Sequence, residues 1–318
     1  MSQVSQSPPI GRLAPSPTGL LHLGHARTFM LAWWHLRSRG GRVLMRIEDL
    51  DQGRSRPEFE TALLEDLEWL GLDWDGPITR QSDHPERFEQ ALTKLSAAGL
   101  TYPCICTRKE LDSAASAPHL SDGTRPYPGT CRDRFASPDT AREQSGREPA
   151  LRFRCPPGDL TFTDGLHGEQ SFNPSALFGD YPIARRDKTP AYQLAVVVDD
   201  ARQGVTEVHR GDDLLHSTPC QIALLRALLL PEPAWFHFPL VHDAEGQRLA
   251  KRHDSLSLRE LRESGIQPSF LVHWIARSAG LQALSGHSAA ELVSTFDLSK
   301  VPRTPVQFAR TDPDPPTP

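Results

Sequence analysis

The segment Arg12-Leu-Ala-Pro-Ser-Pro-Thr-Gly-Leu-Leu-His-Leu-Gly-His25 constrains this chain most. Its Pro, Ser, Thr and Gly residues build a turn-rich loop that leads into His22-Leu-Gly-His25 where an amphipathic pattern begins. Phe29, Trp33 and Leu36 recur at helical spacing after it, which predicts the tetrad at a helix start. Unpaired backbone N–H groups and the positive end of the helix dipole attract phosphate at such a junction. His22 and His25 add side-chain donors, and Gly24 lets an adenine ring approach the backbone closely.

The pattern that follows is an alternation of strands and helices. Arg42–Ile47 is an apolar run after Gly40-Gly41 and reads as a buried strand, so the chain opens strand, loop, helix, strand. Phe59, Leu63, Leu67 and Leu70 mark a helix ended by Gly71; Phe88, Leu92 and Leu95 mark another ended by Gly99. This alternation predicts an α/β fold with a parallel sheet. Residues 195–198, Ala-Val-Val-Val, read as a central β-branched strand, residues 220–230 as a helix and residues 236–241 as a further strand.

The predicted organisation is a disordered start (1–9), the first half of the α/β core (10–100), an insertion rich in Pro, Gly, Ser and Arg (101–175) and the second half of the core (176–265). A helical appendage (266–308) carries Phe270, Leu271, Trp274 and Ile275 on one face, with a second helical stretch near Leu292, before a disordered Pro/Asp tail (309–318). No repeat at solenoid or propeller periods is present.

With 38% hydrophobic and 24% charged residues among 318, the composition is that of a soluble globular protein, and no segment suggests a membrane span. The first nine residues lack the basic segment and apolar core of a secretory signal, which makes a cytoplasmic location the expectation. A formal net charge of −5 argues against indiscriminate nucleic-acid binding and leaves room for a local basic face. Five cysteines are too few and too unevenly placed for a disulfide framework.

Four further constellations carry chemistry. Arg46-Ile-Glu-Asp-Leu-Asp51 ends a predicted strand in carboxylates, at the strand end where open α/β sheets bind ligands; taken alone it reads equally as a solvated turn. Tyr192-Gln-Leu-Ala-Val-Val-Val-Asp-Asp200 leads to His209-Arg-Gly-Asp-Asp213, again polar residues after an apolar run. Gln247-Arg-Leu-Ala-Lys-Arg-His-Asp254 is a basic loop after a predicted strand. Cys104-x-Cys106 with Tyr127-x₃-Cys131 supplies enough soft ligation for tetrahedral zinc if one more donor arrives, His119 being one candidate; Cys155 and Cys220 read as structural.

The His22-Leu-Gly-His25 tetrad resembles the "HIGH" signature of class I aminoacyl-tRNA synthetases, and Arg12-x-Ala-Pro-Ser-Pro-Thr-Gly before it is similar to the glutamyl branch. The resemblance covers residues 8–282 and implies a Rossmann-like nucleotide-binding core with an inserted zinc-binding, acceptor-binding-like subdomain and a short helical appendage. It implies that His22, Gly24 and His25 hold ATP, that Arg12, Ala14 and Ser16 belong to the substrate site, that Glu48 meets a substrate ammonium and that Tyr192 lines the amino-acid pocket. Arg210 joins Arg12 in holding carboxylate oxygens.

Residues 247–254 resemble the second class I signature, K-M/L-S-K-S/R, with Lys251 at the central catalytic position beside the catalytic His22 and His25; Arg248 replaces the first lysine and Ala250 the serine. The C-x-C…Y-x₃-C spacing is that of synthetases specialised for queuosine-bearing tRNA-Asp, which implies Tyr127 as phenolate ligand with Cys104, Cys106 and Cys131.

The implied activity is tRNA-independent activation of L-glutamate by ATP with Mg²⁺, followed by transfer to queuosine at the wobble position of tRNA-Asp, by a monomer holding one structural Zn²⁺. The chain ends soon after the helical appendage, where a glutamyl-tRNA synthetase continues into an anticodon-binding region. Three other readings stand beside it: a truncated glutamyl-tRNA synthetase charging a tRNA 3′ end, a non-catalytic nucleotide- or tRNA-binding paralogue, and a small-molecule adenylyltransferase. The last shares the His-x-Gly-His junction but has no need of the Glu48, Tyr192 and Arg210 pocket.

Overall fold

The opening strand–loop–helix–strand forms where the spacing predicts it. In the computed structural model, which describes residues 7–107, 109–111, 126–243, 246 and 257–308, it comprises Ile10–Leu13 (β1), Leu23–Arg37 (α1) and Arg42–Ile47 (β2). β1 and β2 run parallel with Ile10 opposite Arg42 and Leu13 opposite Met45. Pro57–Trp69 (α2), with proline at its first turn, crosses over to Thr79–Arg80 (β3), which pairs in parallel with the end of β2. Glu86–Ala97 (α3) follows, buried through Phe88 and Leu95.

Thr101–Cys104 (β4), Pro138–Ser145 (α4) and Ala150–Phe153 (β5) come next, then the antiparallel hairpin of Leu160–Asp164 (β6) and Gly168–Phe172 (β7). Pro174–Phe178 (α5) leads to Pro182–Ala184 (β8), and β4, β5 and β8 form a separate antiparallel sheet in that order. The chain then builds Tyr192–Arg202 (α6), Glu207–Gly211 (β9), Thr218–Leu228 (α7) and Ala234–Phe238 (β10), with β10 parallel to both β9 and β6. Val241–His242 (β11), Leu258–Glu263 (α8), Pro268–Ser278 (α9) and Val306–Gln307 (β12) complete it.

β9 lies beside β1. Thr206 N–H donates to Ile10 O at 2.8 Å, and the Arg12 guanidinium reaches His209 O at 3.2 Å, so residue numbers rise together along the two strands. The two halves of the α/β core therefore meet at β1 and β9, with crossovers leaving in opposite directions. In open α/β sheets the crevice at such a switch point, beyond the strand C-termini, is where ligands bind.

Residues 195–198 correct the strand expected there: they lie inside α6, and the strand comes later, at β9. Leu194 through Asp200 are all buried. A helix enclosed on every side carries no polar stripe, so its valines read as a strand although tertiary burial overrides their modest helix propensity. The stretch near Leu292 is a 3₁₀ segment, Ala290–Thr295, and not a full helix.

One apolar core surrounds α1 and takes in Leu13, Met45, Trp34, Leu271 and Ile275; a second surrounds α6 and α7 with Phe88, Phe153 and Trp235. Arg27, fully buried on α1, ties the first core together by donating to Pro239 O at 2.7 Å and to Ser278 Oγ at 2.9 Å. Among the described residues no helix is long and apolar enough to cross a membrane.

Candidate active site

A cavity of about 430 Å³ opens at the C-terminal ends of β1, β2 and β9 and is walled on one side by the start of α1. It gathers Arg12, Ala14, Ser16, His22, Gly24, His25, Glu48, Tyr192 and Arg210, nine residues that the sequence distributes over three separate motifs. Lys251, with Arg248 and Ala250, lies outside the described residues. The described chain on either side of that segment borders the same wall: Val241 lines the cavity, and Ser257 forms a β-bridge with His22.

The helix start is capped by its own histidines. Gly24 N–H donates to His22 Nδ1 at 3.1 Å and His22 N–H donates to His25 Nδ1 at 3.3 Å, a reciprocal capping box. With both Nδ1 atoms accepting, each ring carries its proton on Nε2. The cap also takes up part of the backbone N–H set expected to face an anion, which moves the donors from main chain to imidazole. Gly24 has a reason beyond the approach of a base: a Cβ there would lie 3.0 Å from His22 Cε1, crowding the ring that caps the helix. The two rings stack with centroids 3.8 Å apart.

Behind the cavity the charges form a buried ladder. Arg12 Nε–H donates to Asp200 Oδ1 at 3.0 Å, Arg46 Nη1–H donates to the same oxygen at 2.6 Å, and Arg46 Nη2–H donates to Glu48 Oε1 at 3.1 Å. Burial is the largest influence on Asp200 and acts against ionisation, but the Arg12 and Arg46 guanidiniums outweigh it and hold the carboxyl below its ordinary value. For Glu48 burial wins and raises the pKa, with Arg46 and Arg12 opposing. Neighbouring Asp199 is taken by Arg87 at 2.7 Å.

Arg210 is different. It is buried, and the groups that accept from its guanidinium are neutral: His237 Nε2 at 2.9 Å, Gln221 Oε1 at 2.8 Å, Thr218 Oγ1 at 2.9 Å and Leu214 O at 3.4 Å. Burial lowers its pKa, the expected sign for a cation held in low dielectric without a carboxylate on it. A buried guanidinium whose direct hydrogen-bond partners are neutral can pair with an anion.

Sequence reasoning missed Asp200, Arg46 as the bracket between Asp200 and Glu48, and the His237, Gln221 and Thr218 cradle. Asp200 was within reach, since it lies two residues past the apolar run; reading that run as a strand hid its inward placement. A further grouping joins His35 of α1 to Glu207 and His209 of β9. There His35 Nδ1 and His209 Nε2 are 2.9 Å apart, and Arg39 occupies both Glu207 oxygens, at 2.8 and 2.5 Å.

The cysteine cluster sits apart, in the small core of the β4–β5–β8 subdomain. The sulfurs of Cys104, Cys106 and Cys131 lie within 4.8 Å of one another, and Tyr127 Oη is 3.5 Å from Cys104 Sγ and 3.7 Å from Cys106 Sγ. A tetrahedron built on Zn–S bonds of about 2.3 Å has edges of about 3.8 Å, so the donor set fits zinc. Cys131 N–H donates to Tyr127 Oη at 2.8 Å, which favours a phenolate, but burial and the neighbouring thiols outweigh it and raise the Tyr127 pKa, so ligation must displace the phenol proton. Burial opposes the Cys104 thiolate, but Arg152 and hydrogen bonds hold its pKa below the ordinary thiol value, while burial pushes Cys106 up to about 12. His119 lies outside the described residues.

Comparison with known proteins adds to this geometry. The family of tRNA synthetases class I (E and Q), catalytic domain, matches residues 10–311. The glutamyl-Q tRNA(Asp) synthetase of Symbiobacterium thermophilum is 47% identical over 309 residues, covering 94% of this chain and 95% of its own length. The protein of the same name from Nitratidesulfovibrio vulgaris is 48% identical over 280 residues, covering 85% and 86%. The crystal structure of glutamate-tRNA synthetase from Elizabethkingia anophelis superposes with a TM-score of 0.82 at 25% identity, covering 96% of this chain and 68% of that one.

Proposed function

Since the chain belongs to the class I tRNA synthetases for glutamate and glutamine, catalytic-domain family, we propose that it activates L-glutamate with ATP and transfers it to the queuosine base of tRNA-Asp. The observation that carries the amino-acid choice is the charge on the cavity wall. Arg12 and Arg210 line the cavity with Glu48 and Asp213, and the side chains that accept directly from the buried Arg210 are neutral, while Asp200 holds Arg12 and Arg46 holds Glu48 from behind the wall. The side-chain carboxylate of glutamate forms a charge-assisted pair with such a guanidinium, and the neutral amide of glutamine does not.

In this reading Glu48 takes the ammonium, Arg210 receives a carboxylate through its planar fork, and Arg12 and Tyr192 close the pocket beside Ala14 and Ser16. His22 and His25 donate through Nε2 to ATP, whose adenine packs near Gly24. The α-carboxylate oxygen attacks the α-phosphorus in line, the bond to the bridging oxygen breaks, and pyrophosphate leaves. Lys251, at the catalytic position of its motif, is assigned to stabilise the charge that develops on the departing phosphates. Mg²⁺ bound with ATP supplies further neutralisation of those phosphates. A hydroxyl of the queuosine cyclopentenediol then attacks the glutamyl carbonyl, and AMP leaves.

Cys104, Cys106, Tyr127 and Cys131 hold zinc in a structural role, ordering the subdomain without touching the reacting atoms. Glutamate-dependent ATP–pyrophosphate exchange tests the amino-acid assignment. Exchange with glutamate but not glutamine is expected, and equal exchange with both, or none with either, sinks it.

A further inference from the structure

Arg210 is held from behind by two groups that no motif joins. Its Nε–H donates to His237 Nε2 at 2.9 Å, and His237 Nδ1 lies 2.7 Å from Asp164 Oδ2. The side chains of His237 and Asp164 are completely buried, on the neighbouring strands β10 and β6. We propose that Asp164 and His237 form a tautomer lock that keeps Arg210 aimed at the substrate carboxylate, which makes both of them positioning residues. The assignment rests on the glutamate-activating reading given above.

The proton positions follow from the donors around the ring. Arg210 can only donate, so His237 Nε2 must be unprotonated to accept from it. Thr218 agrees: its Oγ1 accepts from Arg210 Nη2 at 2.9 Å and lies 3.2 Å from His237 Nε2, leaving its own proton for that nitrogen. The ring proton is therefore on Nδ1, donated to Asp164.

Asp164 fixes that choice because its other oxygen is saturated. Oδ1 accepts from Leu166 N–H at 3.0 Å and from His167 N–H at 2.9 Å, so only Oδ2 faces the ring. An asparagine at this position must leave its carbonyl on the two N–H donors and turn its NH₂ toward His237 Nδ1. The ring proton then moves to Nε2, where it confronts Arg210 Nε–H. The fork loses its backing and swings out of register with a substrate carboxylate, while the ATP wall at His22 and His25 is untouched.

The test uses the full chain in three variants, Asp164→Asn, His237→Gln and His237→Phe. It reads glutamate and ATP KM in pyrophosphate exchange, together with ¹⁵N NMR of the His237 ring. The wild type is expected to show a protonated Nδ1, and Asp164→Asn a protonated Nε2. Glutamate KM in Asp164→Asn rises about tenfold or more, the scale of one hydrogen bond to a charged group, with ATP KM unchanged. His237→Gln, whose carbonyl can still accept from Arg210, keeps most of the glutamate affinity that His237→Phe loses.

A wild-type ring protonated on Nε2, or an Asp164→Asn enzyme with unchanged glutamate KM, overturns the lock. If Asp164→Asn does not fold, equal glutamate KM in the two His237 variants overturns it. A wild type with no glutamate-dependent exchange instead removes the underlying functional reading, and the NMR tautomer still decides the lock.

Discussion

Arg46, in β2, and Glu48, just past the end of that strand, are bound to each other: Arg46 Nη2–H donates to Glu48 Oε1 at 3.1 Å. Glu48 lines the cavity, and Arg46, completely buried, stands behind it. Arg46 also grips Asp200 and Gln203, at 2.6 and 2.8 Å, and so serves as a bracket for Glu48 rather than a ligand for substrate.

Burial raises the Glu48 pKa above the ordinary carboxylate value despite Arg46 and Arg12. The ammonium of glutamate needs the ionised carboxylate, so affinity is complete above this raised pKa and is lost as pH falls through it. We expect glutamate KM to rise on the acid side, at a pH above the usual carboxylate range, while ATP KM stays level. In Glu48→Gln the acid limb disappears and KM is high throughout. An acid limb shared by both substrates in the wild type contradicts this assignment.

Removing the fork of Arg210 should damage glutamate activation far more than ATP binding. Truncating one partner of a buried charge pair costs about 2–5 kcal/mol, much of it from leaving the other charge unpaired. Arg210→Ala also strips the acceptors His237, Gln221 and Thr218 of their donor, which predicts a lower melting temperature. Arg210→Lys should recover part of the stability and little of the glutamate affinity, because an ammonium cannot reproduce the planar fork. Unchanged glutamate KM and kcat in Arg210→Ala would place the carboxylate elsewhere.

Metal analysis of the purified protein addresses the cysteine cluster. One equivalent of zinc is expected, lost in Cys106→Ser while glutamate adenylation largely survives, because ligation contributes local folding energy and not catalytic charge. Without metal, burial pushes Cys106 up to about 12, so zinc must expel a proton to bind, and its affinity should fall as pH is lowered. A metal-free protein that is folded and active rejects the site. Retention of zinc by Tyr127→Phe passes the fourth position to another donor.

The parts of this architecture written locally were legible. A turn-rich loop, a helix cap and an apolar strand within 37 residues, from Arg12 to Glu48, carry their own signals, and the structure brings Arg12, His22 and Glu48 to one cavity from them. The α6 helix was misread because a fully enclosed run of valines shows neither a period of two nor one of 3.6, so composition alone favoured a strand. That error also hid Asp200, which becomes a ladder carboxylate only when helical geometry turns it inward. Asp164 and His237, 73 residues apart, meet through the parallel pairing of β6 with β10, and nothing within either segment announces the contact.

The central claim is transfer of glutamate to a modified base rather than to a tRNA 3′ end. The direct measurement incubates the protein with ATP and labelled glutamate, first without tRNA and then with tRNA-Asp that carries or lacks queuosine, alongside tRNA-Glu. The account predicts glutamate-dependent pyrophosphate exchange without any tRNA, and label retained only on queuosine-bearing tRNA-Asp, still bound after the 3′-terminal nucleotide is removed. Exchange that requires tRNA, or label on the 3′ end of tRNA-Glu, would contradict it.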